Sequence, residues 1–132
     1  MTITRLNPSN AYLNAPDIDS VRKAKLVVLG NKAESVANGG VVVLGNLVRS
    51  DDIAVANITS SLSLMARSAS ETIDFKFVGG WATVNKATLE SFQDAIWELR
   101  KATYANHKLH EIAITALLSV QDIRDYDIDS GW

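Results

Sequence analysis

His107, His110 and Glu111 lie at a spacing that permits, without specifying, a metal site. On a helix, a separation of three brings both imidazoles to one side, and in a symmetric assembly they and the carboxylate could converge on zinc. Zinc-protease helices instead carry their histidines four apart with the glutamate between them, so the sequence predicts exposed helix residues here rather than ligands. Asp125, Asp127 and Asp129 have the alternate spacing that opens a calcium loop. Glycine, however, falls at the seventh position as Gly131 instead of the sixth, and no glutamate follows to close the coordination sphere. These carboxylates are expected to be solvated, alternating with inward-facing Tyr126 and Ile128. No metal and no cofactor is expected.

Hydrolytic chemistry finds as little support. Serines are plentiful, but there is no Gly-x-Ser-x-Gly turn, and the two histidines lie on one predicted helix without an evident orienting partner. Gly39-Gly40 and Gly79-Gly80 lack the spacing and the lysine of a phosphate-cradling loop, which leaves backbone turning as their work. Trp81, Trp97 and Trp132 could form a sugar-binding platform, yet tryptophans in a small domain more often fill cores and interfaces. The expectation is a protein that binds other proteins and is not an enzyme, with Trp97 and Trp132 as candidate contacts.

Composition narrows the partners. With 132 residues and 47% hydrophobic content the chain can build one ordinary core. A formal net charge of -2 gives no field for holding phosphates, so no nucleic acid is expected. The absence of cysteine removes disulfides and thiolate chemistry together. The apolar runs LVVLG from Leu26 and VVVLG from Val41 are far shorter than the roughly 18 residues of a membrane helix. The first residues also lack the blocks of a secretory signal. Synthesis in the cytoplasm and no membrane association are expected.

The elements that would position these residues follow from periodicity and caps. Residues 1–17, MTITRLNPSNAYLNAPD, hold both prolines and read as an arm whose Ile3, Leu6, Tyr12 and Leu13 could lie in a groove on another chain. Residues 18–132 read as a single α+β domain, with helices packed around short antiparallel hairpins and one long helix near the C-terminus. Asp19 or Ser20 can cap a first helix, with Leu26, Leu29, Ala33 and Val36 on one face, running to about Asn38 and stopped by Gly39 and Gly40. VVVLGNLVR from Val41 predicts a hairpin turning at Gly45-Asn46. Ser50, Asp51 and Asp52 then favour a helix start, and Ala54, Ile58, Leu62 and Met65 mark its buried face as far as Ser68. Ile73, Phe75 and Phe77 alternate with Asp74 and Lys76 ahead of Gly79-Gly80 and a return arm from Trp81 to Val84, which predicts a second hairpin with an aromatic core face.

Asn85 can cap a helix that continues without Gly or Pro to about Leu118, a span of roughly 50 Å. Leu89, Phe92, Ile96 and Leu99 keep a three-four spacing, but its continuation lands on Thr103, Asn106 and His110. The helix either breaks near 105–107 or packs different faces on different neighbours, and one long helix is the preferred reading. Ser119 and Asp122 can form a capping box for a short helix with Val120, Ile123 and Tyr126 on one face. Beyond it Ile128 and Trp132 read as anchors, with Trp132 buried.

With these elements placed, the segment from Gly39 to Trp132 resembles a domain of unknown function found in bacteriophage tail proteins, particularly those encoded alongside tail fibres. The resemblance covers over half the chain and rests on an ordered set: GGVVVLG, LVRSDDIAVANITSSLSLMA, WATVN, the long helix and the closing DIDSGW. The arm up to about Ala15 lies outside it. Such a family carries no assigned activity, so it implies no catalytic residues and points to a place instead. That place is the virion tail, as a structural or connecting component at fibre or baseplate, bound to other tail proteins and oligomeric within the assembly. A tail-fibre assembly chaperone and a host-receptor module that binds carbohydrate are the alternatives.

Overall fold

The computed structural model describes residues 17–68 and 71–132. The expected arm, with Ile3, Leu6, Tyr12 and Leu13, lies outside the described residues except for Asp17. In chain order the elements are α1 (Ile18–Ala37), β1 (Val41–Val43), β2 (Asn46–Val48), α2 (Asp52–Ser68), β3 (Thr72–Phe77), β4 (Gly80–Asn85), α3 (Lys86–Ala116) and α4 (Val120–Asp125). Each hairpin is a separate two-stranded antiparallel sheet, and the class is α+β as expected. The chain groups into two compact units: the first takes in residues up to Lys32 and His107–Gly131, the second Ala33–Asn106 with Trp132. Helices α1 and α3 each contribute to both.

The second unit has the larger core. Alternation along β3 turns Ile73, Phe75 and Phe77 inward, and the rings of Phe75, Phe77 and Phe92 meet in tilted or edge-on pairs with centroids 5.3–5.6 Å apart. Val48, Ile58, Met65, Val84, Leu89 and Ile96 close around them. The start of α2 is fixed by Asp51, whose Oδ1 accepts the Ala54 N–H at 2.8 Å. Ser50, expected to share in that cap, is instead fully buried: its hydroxyl accepts from the Gly40 N–H and donates to the Ala37 carbonyl. It thereby ties off the end of α1, where Gly40 adopts φ +87° and a Cβ would sit 2.9 Å from the Val48 carbonyl oxygen.

In the first unit Leu29, Ile114 and Ile123 are fully buried. Two cations on α1 serve helix C-termini: the Arg22 guanidinium donates to the Leu117 carbonyl (2.8 Å) and the Lys25 ammonium to that of Arg124 (3.1 Å). The α1 start lies earlier than expected. Asp17, not Asp19 or Ser20, precedes the first turn, and its carbonyl accepts the Val21 N–H.

The long helix is continuous over Lys86–Ala116, capped by the Asn85 side chain accepting from the Thr88 N–H at 2.8 Å. Its inward stripe does not end where apolar character ends. Thr103 and His110 are buried like Leu89, Phe92 and Ile96 before them. They are tolerated because they are satisfied: the Thr103 hydroxyl donates to the Leu99 carbonyl at 2.7 Å, and both ring nitrogens of His110 are hydrogen-bonded. The Ser119 cap is as expected, its hydroxyl accepting the Asp122 N–H at 3.1 Å.

Candidate interaction surface

The two hairpins place their turns differently from the sequence reading, and the difference creates an exposed apolar surface. β1 and β2 pair Val41 with Val48, Val42 with Leu47 and Val43 with Asn46, so the turn is Leu44-Gly45 rather than Gly45-Asn46. Both turn residues have positive φ, 51° at Leu44 and 81° at Gly45, the pattern of a type I′ turn that twists with the strands. Asn, Asp or Gly normally fills the first position, because a Cβ there crowds the carbonyl; a leucine is held against an intrinsic cost of about 1–2 kcal/mol. In β3 and β4, Phe77 pairs with Gly80, so Val78-Gly79 is the turn and Gly80 already belongs to the strand.

Pleating then sorts the side chains. Val48 is buried and Val41 and Val43 are half-buried, while the cross-strand pair Val42 and Leu47 faces out with Leu44, which is 77% exposed. From the second hairpin come Val78 and Trp81, the latter 70% exposed. An open depression of about 430 Å³ joins the two tips, walled by Leu47, Val78, Trp81 and the glycines beside them. Leu47, Val78 and Trp81 line the depression, and Val42 and the strained Leu44 are exposed on the first hairpin outside its lining; so much exposed apolar surface is unusual for solvated hairpin ends. The signal was present in VVVLGNLV: a hairpin with one wet face should alternate with polar residues, and Val42, Leu44 and Leu47 break that alternation.

A second, smaller feature lies between α2 and α3. Val55, Ile58, Gln93, Ile96, Trp97 and Arg100 line a crevice of about 120 Å³. Trp97 stands at its rim, 61% exposed, while the Arg100 guanidinium donates to the Ser50 carbonyl (3.0 Å) and to Asp52 (2.9 Å). Trp97 and Trp81 are thus surface residues and do not fill the core. Trp132 is half-buried, not enclosed as expected, and groups with the second unit. The structure does not bring Trp81, Trp97 and Trp132 together as one lining.

The histidine pair is corrected in part. His107 is half-buried and within 3.8 Å of Glu111, but His110 is buried, not an exposed helix residue, and it has the partner the sequence did not reveal. The Tyr126 hydroxyl lies 2.7 Å from Nδ1 and the Ser130 carbonyl 2.8 Å from Nε2. A carbonyl can only accept, which puts a proton on Nε2; in the neutral ring Nδ1 then accepts from Tyr126. Tyr126 and Ser130 are sixteen and twenty residues further along, a distance that helical spacing cannot foresee. The three aspartates are dispersed: Asp125 accepts from Gln121, Asp127 from the Asp129 N–H, and Asp129 lies 3.6 Å from Lys32. Among the described residues no three His, Asp or Glu side chains converge on one point. Nor, among them, is any helix long and apolar enough to cross a membrane.

The ordered set of strands and helices from α1 to the closing turn is shared with a recognised family. Residues 20–130 match a domain of unknown function, DUF4376, a longer stretch than the resemblance read from Gly39 onward. No curated protein and no solved structure matches the chain. The match spans most of the sequence, and the chain belongs to the DUF4376 family.

Proposed function

We propose that this chain is a non-enzymatic structural or connecting component of a phage tail, at the fibre or baseplate, and that it works by protein–protein binding through the hairpin tips. The observation that carries binding is Leu44, an exposed leucine kept at φ 51° where asparagine or glycine would relieve the strain. Strain of this kind persists where a side chain is needed outside the fold's own core. Val42 and Leu47 are exposed on the same hairpin, and Leu47 shares a depression with Val78 and Trp81 of the second, apolar surface suited to the buried centre of an interface. The tail as location comes from the resemblance of GGVVVLG, WATVN and DIDSGW in their order to tail-associated domains.

One observation favours the receptor-binding alternative. Trp81 presents an exposed ring beside Asp74 and Thr83, the mixture of aromatic face and polar groups that sugars use. Against it, the Lys76 ammonium sits 5.5 Å over that ring, and Asp74 already accepts from the Thr83 hydroxyl at 2.9 Å. Quantifying the polypeptide in washed, purified particles separates the readings. A fixed stoichiometry is the result expected of a component; presence only in infected-cell lysate would make it an assembly chaperone instead. Binding of the isolated protein to host cells, abolished by free glycan, would favour the receptor module.

A further inference from the structure

β4 has an edge that the fold leaves open. It pairs with β3 and, among the described residues, with no other strand. Open edges are aggregation hazards, and proteins blunt them with charge, proline, bulges or brevity. β1 and β2 are only three residues each, and β3 carries Asp74 and Lys76. β4, Gly80-Trp81-Ala82-Thr83-Val84-Asn85, is six residues long, continuous in register and free of charge and proline. Its central residues, Ala82 and Thr83, are exposed, as is Trp81 nearer the turn.

The direction of its backbone groups follows from the turn. With Val78-Gly79 as the two-residue connection, Phe77 and Gly80 form the hydrogen-bonded pair that closes the hairpin. Alternation then directs the N–H and C=O groups of Trp81 and Thr83 and the N–H of Asn85 toward the open edge, while the Asn85 carbonyl, at the N-cap of α3, turns into the helix. We propose that this edge pairs antiparallel with β4 of a second copy of the chain, about a two-fold axis through Thr83, to make one four-stranded sheet.

The register is self-consistent. Thr83 meets Thr83 of the other copy, Trp81 meets Asn85, and Ala82 meets Val84, so the core-facing residues of both copies stay on one side of the joint sheet. Along the outer face the row runs Asp74, Thr83, then Thr83 and Asp74 of the second copy. Like charges are thereby separated by three strand spacings, roughly 14 Å, and no charge opposes its own kind directly. A strand with neither charge nor side chain bulk at its centre fits an identical strand better than it selects a charged one. This deepens the protein-binding reading and rests on it for biological role, although the pairing needs no tail partner to be seen.

Sedimentation equilibrium of the purified full chain tests it. Self-association to a dimer with a Kd below about 1 mM is expected. Thr83→Lys, which sets two ammonium groups against each other across the axis, and Thr83→Pro, which deletes an outward N–H while sparing the bonds to β3, should each raise that Kd at least about fivefold. Thr83→Val keeps the edge and should leave the Kd unchanged, with circular dichroism verifying that each variant is folded. A monomeric wild-type chain overturns the proposal, as does a dimer indifferent to both Lys and Pro. A monomer whose Thr83→Lys variant drops out of particles gives the edge to another polypeptide, which also overturns self-pairing. A wild-type chain that is monomeric yet present in washed particles removes only the pairing, and an intact dimer missing from washed particles removes only the tail reading.

Discussion

His110 on α3 and Tyr126, the residue that ends α4, share a 2.7 Å contact between Nδ1 and the phenolic oxygen, while Nε2 of the same ring holds the Ser130 carbonyl at 2.8 Å. One buried imidazole therefore ties the segment after α4 to the long helix, and the two rings also meet edge-on at 5.5 Å. Replacing it by an apolar ring of similar size, His110→Phe, should lower unfolding free energy by roughly 1–3 kcal/mol, because a buried hydroxyl and carbonyl lose this partner. Tyr126→Phe should lower it by roughly 1 kcal/mol. In urea titrations the double variant should fall short of the sum of the two, since both remove one shared bond; strict additivity would show that the bond contributes nothing.

Leu44 gives the opposite sign. Leu44→Asn fits the left-handed turn position without the crowding of leucine and should raise stability by about 1 kcal/mol. Under the proposed tail role the same variant should lose incorporation into particles, since the exposed side chain is gone. A variant both more stable and fully incorporated would show that the strain at φ 51° serves no contact.

Gly30 is a simple defect in α1. A Cβ built there meets nothing within 4 Å, and its backbone is helical, so Gly30→Ala should stabilise by roughly 0.5–1 kcal/mol through the unfolded chain's lost freedom. An unchanged or lower melting temperature would mean that the open space beside Gly30 is occupied in solution.

Asp51 should make stability acid-sensitive. The Arg49 guanidinium at 2.6 Å, followed by the Ala54 N–H, holds its carboxyl below the ordinary value of 3.8. A carboxylate with a lowered folded pKa contributes fully above its unfolded value and loses that contribution as pH falls through the folded one. The stability difference between wild type and Asp51→Asn should thus be constant from pH 7 to about pH 5 and shrink below about pH 4. A difference that grows on acidification would contradict the shift.

Most of the helical architecture was legible because burial leaves a period in the sequence. The stripes Ala54-Ile58-Met65 and Leu89-Phe92-Ile96 are buried as their spacing implied, and the caps at Asn85 and Ser119 are where short polar side chains precede apolar runs. Two of the differences have one cause, a local rule overruled by a distant partner. His110 looked exposed because the residues that satisfy it lie beyond α4, and Ser50 looked like a cap because its bonds to Ala37 and Gly40 run back to the previous helix. The hairpin turn was placed one residue late because Gly-Asn suits positive φ better than Leu-Gly. The chain uses the poorer pair, and it displays an exposed leucine there as part of the candidate surface.

Whether the proposed tail component binds through its hairpin tip is measured most directly by site-specific photo-crosslinking. A photoreactive amino acid in place of Leu44, with the same group at exposed Gln121 in the other unit as a control, would be carried through infection and the particles purified. Crosslinking from position 44 to a fibre or baseplate protein, well above that from position 121, is the expected result. Particles that contain the chain but crosslink no more from 44 than from 121, or that lack the chain altogether, would contradict the assignment of the hairpin tip as its binding surface in the tail.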